Sequence, residues 1–316
     1  MIFLLCYEVR SFIVDNKINI CISCDDNYAK HAGVVAASIL VNSNPEDELC
    51  FYILDGGIKD ETKELFMKLK EIKNCEFNFV SVDENLFTDY KQVKSHAYIT
   101  IASYYRLKLP TLLPNVDRVI YFDCDFVVNS SLKELFNVDM KDYALAGVRD
   151  INKRMLKKKP NYVNAGMLVM DLANMRKQNL EQKFLEWTKN NAEKIKTGDQ
   201  EIINSVVDGN IKIVDDCWNV QSSNFTNRSS YTNNPKAIHF VAKKKPWHFG
   251  SFSYHRPLYF KYLQLTPWKL NETEYKHWTR DNQIVSLIEY IKYRPLFMLR
   301  PRFYKALFHT YILRDK

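Results

Sequence analysis

The chain has 316 residues, 46% hydrophobic and 14% aromatic, with 45 Lys and Arg against 37 Asp and Glu, a net charge of +8. That length carries one large domain with an appendage, and scarce glycine without low-complexity runs excludes repeat and low-complexity classes. Seven cysteines, an odd number, argue for a reducing compartment, and no apolar stretch has the length of a membrane span.

Residues 1–16 open with an apolar run that stops at Glu8 and Arg10 and has no basic residue before it. They read as an added arm, or a leader from an early start codon, and not as a signal peptide. Residues 18–24 predict a buried strand, with Asp25-Asp26-Asn27-Tyr28 as the loop after it. Cys21 and Cys24 have CxxC spacing, but residues three apart on a strand face opposite sides, so the pair neither chelates metal nor forms a disulfide readily. Residues 29–41 have helical spacing through Val34, Ala37, Ser38 and Val41. Residues 49–54 form a second strand with Asp55-Gly56-Gly57 as its turn. Residues 60–73 fit an amphipathic helix through Leu65, Leu69 and Ile72, and residues 75–82 give a third strand. This β-α-β-α-β order predicts a mostly parallel sheet wrapped by helices.

Residues 99–109 read as a tyrosine-rich, helix-like segment. Its Arg106 can fork onto a carboxylate or a ligand hydroxyl, or form a structural ion pair with Asp123 or Asp125. Residues 119–128 are an apolar strand interrupted by Asp123-Cys124-Asp125. Residues two apart on a strand share a face, so both carboxylates can point at one target. At the carboxyl edge of a strand such a pair suits a hard dication, which in turn neutralises a diphosphate. Two solvated turn aspartates are the plain alternative. A third reading makes Asp123 the nucleophile of a haloacid-dehalogenase-type phosphatase, but that motif belongs to the opening strand of its domain. Asn164-Ala165-Gly166 opens an apolar strand over residues 167–170. There glycine permits close approach of a sugar and Asn164 offers donor and acceptor, unless the segment is a plain strand-start turn. Thr197-Gly198-Asp199-Gln200 begins a helix, and its Thr-x-x-Gln spacing is that of a capping box. His239 lies among apolar residues 237–241, where it is a core histidine or, with the two aspartates, a third metal ligand. Lys243-Lys244-Lys245 is otherwise a solvated charge run.

Six segments stand in one order. They are Cys24-Asp25-Asp26-Asn27-Tyr28, Tyr105-Arg106-Leu107, Asp123-Cys124-Asp125, Asn164-Ala165-Gly166, Gly198-Asp199-Gln200, and His239 through Lys245-Pro246-Trp247. Together they resemble the motifs of the bacterial family 8 glycosyltransferases, retaining enzymes that include lipopolysaccharide galactosyl- and glucosyltransferases. The resemblance covers residues 18–248 and implies a GT-A fold: a Rossmann-like, mixed but mostly parallel sheet flanked by helices. It also implies a UDP-sugar donor and manganese, with magnesium as a substitute. By the same resemblance Ser23, Asp25 and Asn27 meet uracil and ribose, although Asp25 or Asn27 can equally cap the following helix. Arg106, Cys124, Asn164 and Gly166 join the donor site, Asp199 takes sugar hydroxyls, and Gln200 lies beneath the anomeric carbon. Asp123, Asp125 and His239 hold the metal, and Lys245-Pro246-Trp247 closes over the diphosphate. Glu201 stands where many relatives have Asp, and Ala242 where they generally have glycine.

Three regions are expected: an arm at 1–17, a catalytic domain at 18–254 and a small helical subdomain at 255–316. In the last, Ile284, Leu287, Ile288 and Ile291 repeat at helical spacing, followed by Lys292, Arg294, Arg300, Arg302 and Lys305 among Tyr293, Phe297, Phe303, Tyr304 and Phe308. From 281 to 316, seven Lys or Arg and three Asp or Glu carry half of the net charge. Such a segment docks on an anionic membrane or an acceptor, or packs its aromatics on the main domain. Nucleic acid is not expected, since no recognised motif accompanies the charge. The expected function is transfer of a hexose, galactose before glucose, from a UDP-sugar to a glycan, glycolipid or glycoprotein. The expected place is the cytoplasm, at or near the inner face of the membrane.

Overall fold

The computed structural model describes residues 17–90, 93, 100–222, 234–241, 243–248, 251, 253, 255–281, 291, 295–299, 301 and 303–304. The arm at 1–16, the helical repeat at Ile284, Leu287 and Ile288, and most of the basic-aromatic tail lie outside the described residues.

Strands β1 (Lys17–Cys24), β2 (Glu48–Asp55) and β3 (Cys75–Ser81) are parallel, linked by helices α1 (Asp26–Asn42) and α2 (Asp60–Lys68). The expected helix at 60–73 ends early: α2 stops at Lys68 and a 3-10 turn, Leu69–Glu71, tightens its last residues. The chain then crosses back, and β4 (Arg118–Phe122) pairs with β1 on the side away from β2. A large sheet results, in the order β3-β2-β1-β4-β7-β6-β8, with β6 at Leu145–Arg149, β7 at Val163–Asp171 and β8 at Lys212–Ile213. Strand β7 runs antiparallel to both β4 and β6, while the other pairings are parallel. A smaller sheet joins β5 (Phe126–Val128), β10 (Ala237–Phe240) and β9 (Val220–Ser222).

Strand β1 is buried on both faces, which is why it reads as one apolar run. Ile18, Ile20, Ile22 and Cys24 join the cluster under α1, whereas Cys21 joins the cluster on the opposite face. The CxxC pair is therefore split across the sheet. A third cluster couples the small sheet to α1 and to the helix Arg256–Leu263 through Val34, Val127, Ile238, Tyr259 and Tyr262. Gly33 lets this junction close: a Cβ there would lie 2.3 Å from the Trp268 ring.

Because β2 and β4 leave β1 on opposite sides, the carboxyl ends of β1 and β4 flank a topological switch point. Open α/β sheets bind ligands in such a crevice. The loop at Asp25 and the aspartates after β4 both open there.

Candidate active site

A cleft of about 690 Å³ opens at that edge, lined among others by Ser23, Asp25, Arg106, Asp123, Asp125 and Lys245. Backbone bonds fix the two aspartates from different sides. Asp123 N–H donates to Gly166 O at 2.8 Å, and Phe240 N–H donates to Asp125 O at 2.8 Å. The motif is thus held between β7 and β10, with β4 and β5 on either side of it.

Arg106 is 2% exposed and sits on a 3-10 helix, Ile101–Lys108, within the segment expected to be helix-like. Its Nη2 donates to Asp123 Oδ1 at 2.5 Å, its Nη1 to Ala165 O, and its Nε to Ser103 O at 3.0 Å. The same Nε lies 3.0 Å from Asp199 Oδ2, and the guanidinium stacks over the Tyr121 ring. One buried cation therefore serves Asp123 and Asp199 together. Burial pushes the Asp199 carboxyl up to about 6, with Arg106 opposing and the Asp123 charge adding to the rise. Burial likewise raises Asp123, again against Arg106.

Asp125 is different. Burial alone would raise it, but the Lys245 ammonium and His239 overcome that and hold its carboxyl below the usual range. Lys245 Nζ donates to Asp125 Oδ2 at 2.5 Å and to Phe240 O at 2.9 Å. His239 Nε2 lies 3.2 Å from Asp125 Oδ1, a buried oxygen that no donor reaches with hydrogen-bond geometry. Ligand atoms of Asp123, Asp125 and His239 lie within 4.8 Å of one another. Two carboxylates and an imidazole around an unsatisfied buried oxygen fit a divalent cation such as manganese.

Gly166 explains the compactness of this cluster. A Cβ on it would lie 2.3 Å from His239 Cε1 and 3.0 Å from Asp123 Oδ2. The histidine and aspartate packed against it are thus enough to require glycine at this position.

Asn164 lies inside β7, and so does not form the strand-start turn of the alternative reading. Its Oδ1 accepts from Gly166 N–H at 3.1 Å, and its Nδ2 donates to Asp150 Oδ2 and Gln200 Oε1. Gln200 does not cap its helix. The N-cap of the helix Asp199–Val206 is Gly198, at a φ of 61° that favours glycine, and no side chain caps it. The Gln200 amide turns into the cleft instead, accepting from Ala165 N–H at 3.1 Å and donating to Asp150 Oδ2 at 3.1 Å. Glu201 takes over the turn: its Oε2 accepts from the N–H groups of Lys196 and Thr197.

At the end of β1, Asp25 is the N-cap of α1, accepting from Tyr28 N–H at 2.9 Å, and it also faces the cleft. Ser23 Oγ donates to Ala102 O at 2.8 Å, and Cys124 Sγ contacts Ser23 O at 3.2 Å. Asn27 departs from expectation. It is exposed, does not line the cleft and reaches only Asp25, at 3.5 Å.

The Lys245 loop is anchored by aromatics. The Trp247 ring stacks on His31 of α1 at 3.6 Å and 14°, and His31 Nδ1 meets the Tyr259 hydroxyl at 2.7 Å. Burial pushes the His31 imidazole down to about 3, with Lys30 and His248 adding to the fall, so the ring is neutral in the stack. Ala242 lies outside the described residues.

Asp150, His31 and Asn219 carry much of this geometry without standing out in the sequence. Asp150 follows Arg149, His31 follows Lys30 and Asn219 stands between Trp218 and Val220, and no motif spacing marks any of them.

Comparison with known proteins agrees with the fold. The model of glycosyl transferase family 8 matches residues 19–250. General stress protein A of Bacillus subtilis is 30% identical over 270 residues, covering 78% of this chain and 93% of the relative. The lipopolysaccharide 1,3-galactosyltransferase of Salmonella typhimurium is 25% identical, covering 74% of each chain. A crystal structure of the galactosyltransferase LgtC with donor and acceptor sugar analogues superposes with a TM-score of 0.69 at 23% identity, covering 81% of this chain and 98% of that one. At that identity the last likeness speaks for the fold alone. A dehalogenase-type use of Asp123 does not survive these matches: the chain belongs to glycosyl transferase family 8.

Proposed function

We propose that this glycosyltransferase moves a hexose from a UDP-sugar to a hydroxyl of a bacterial surface glycan, glycolipid or glycoprotein, with retention of anomeric configuration. Galactose is preferred over glucose as the transferred sugar. The observation that carries this reading is the convergence of Asp123, Asp125, His239, Arg106 and Lys245 at one switch point. The relatives' own names supply the substrate class, a lipopolysaccharide galactosyltransferase and a lipopolysaccharide 1,2-glucosyltransferase among them.

Asp123, Asp125 and His239 would hold manganese, or magnesium in its place. When bound, the dication supplies charge neutralisation for the diphosphate leaving group, usually among the largest catalytic terms. The protein does the rest. Asp25, Ser23 and Cys124 border the nucleoside end of the cleft, and we keep Asn27 there only as an outer contact, given its exposure. Lys245 binds the diphosphate by exchanging its Asp125 contact for a phosphate oxygen. Arg106 keeps Asp123 and Asp199 fixed, so Asp199 can take sugar hydroxyls without swinging away.

Gln200 is an amide held at both ends, and the carboxylates beside it are engaged: Asp150 Oδ2 accepts from the Gln200 and Asn164 amides and Asp199 pairs with Arg106, so neither is set up as the nucleophile of a retaining glycosidase. We therefore favour attack from the face the diphosphate leaves. The acceptor oxygen bonds to the anomeric carbon as the carbon–oxygen bond to the β-phosphate breaks, and the acceptor proton passes to that phosphate oxygen. Gln200 and Asn164 pack beneath the positive centre. Among the described residues no helix is long and apolar enough to cross a membrane. With the basic tail, we place the enzyme in the cytoplasm, peripheral to the membrane. The test is a donor screen with UDP-galactose, UDP-glucose and other UDP-sugars, with the product's anomeric configuration read by proton NMR. Inversion, or equal indifference to all donors, would overturn the reading.

A further inference from the structure

His239 can serve a cation only through a nitrogen with a free lone pair. Its Nδ1 lies 3.1 Å from Asn164 Oδ1 and 3.2 Å from Asn219 Oδ1. Which atom each amide presents is fixed by its other bonds. Asn164 Oδ1 is an oxygen because Gly166 N–H donates to it, and Asn219 Nδ2 donates to the same oxygen at 3.0 Å. That leaves the Asn219 oxygen for the imidazole. Both Nδ1 partners are then acceptors, so Nδ1 must be the donor, and in the neutral ring Nε2 keeps the lone pair. Nε2 is the atom that faces Asp125.

Asn219 is 0% exposed, behind Trp218 and the 3-10 turn Asp216–Trp218, and the parallel register of β9 with β10 pairs Gln221 with His239. A fully buried amide is costly unless both its ends are bonded, and here both ends serve the His239 contact. We propose that Asn219 is a positioning residue that fixes the His239 tautomer so that Nε2 faces the cation. This rests on His239 being a cation ligand, and it adds a residue that touches neither substrate nor cation.

The test is nitrogen-15 NMR of histidine-labelled, metal-free protein at a pH where imidazoles are neutral, together with calorimetric Mn²⁺ binding. Disappearance of the signals in His239→Gln assigns them. Wild type is expected to show a protonated Nδ1 and an unprotonated Nε2. Asn219→Leu should mix the tautomers and weaken Mn²⁺ binding roughly tenfold or more, as loss of outer partners of metal-bound histidines does. Asn219→Asp keeps an acceptor on Nδ1 and should keep the tautomer. A wild-type ring protonated at Nε2 would overturn the proposal without any variant, and so would Asn219→Leu with unchanged tautomer and Mn²⁺ affinity. Unchanged Mn²⁺ affinity in His239→Gln would instead overturn the ligand assignment beneath it, whatever the tautomer.

Discussion

Replacing Gly166 by alanine adds one methyl group at the most crowded point of the cluster. The new Cβ would lie 2.3 Å from His239 Cε1 and 2.9 Å from its Nδ1. Carbon atoms pack comfortably at about 3.5–4.0 Å, so something must move by roughly an ångström. The ring has no easy retreat: it stacks on Phe126 at 4.2 Å between centroids, and Nδ1 is tied to two buried asparagines. Overpacking of this kind costs about 1–3 kcal/mol in stability. A cation site tolerates ligand displacements of only about 0.2 Å, so an ångström removes His239 from the set. Cation affinity should then fall by about two orders of magnitude, near 3 kcal/mol. Calorimetric titration with Mn²⁺ and a melting curve of Gly166→Ala measure both effects. Wild-type affinity in a protein of wild-type stability would refute the packing argument, and with it the claim that this glycine serves His239.

Arg106→Met leaves the buried Asp199 and the half-buried Asp123 without their shared cation, which should cost about 3 kcal/mol in a urea melt at neutral pH, the low end for a broken buried pair; Arg106→Lys, lacking the fork, should recover only part of that. Asp199 gives a pH signature. Its carboxyl is raised to about 6 in the folded chain against 3.8 as the ordinary value, so between those values the folded state holds more protons. Stability should therefore fall as pH rises through that window, and Asp199→Asn should flatten the slope; equal slopes in the two proteins would refute the burial argument. His31→Ala removes the ring stacked on Trp247, a contact worth about 0.5–1.5 kcal/mol, and should raise the donor KM by up to roughly tenfold while His31→Phe restores it. Unchanged donor KM in His31→Ala would separate the aromatic stack from the Lys245 loop.

The first half of the sheet was legible because strands buried on both faces leave continuous apolar runs, as in residues 18–24 and 49–54, with turn residues between them. The aspartate pair was legible from its place after an apolar run, but not for the reason of strand alternation: the expected strand at 119–128 breaks at Asp123-Cys124-Asp125, a turn between β4 and β5, and backbone bonds to Gly166 and Phe240 fix the two residues there. The reversal of β7 between β4 and β6 leaves no such mark, since direction within a sheet depends on connections and not on local pattern. Gln200 shows the limit most clearly. Thr197-x-x-Gln200 satisfies the local rule for a capping box, yet Asp150, Asn164 and the Ala165 N–H offer the amide better partners across the cleft. Asn27 is a different case. It carries suitable chemistry, but the cap formed by Asp25 turns α1 so that Asn27 points to solvent.

UDP release from a UDP-sugar, followed in Mn²⁺ and then in EDTA, tests the central assignment most directly when repeated with Asp123→Asn and Asp125→Asn. Transfer should require the dication and fall at least a hundredfold in either variant, about 3 kcal/mol of barrier, while the melting curves show the fold intact. Full transfer in EDTA, or in either folded variant, would contradict it.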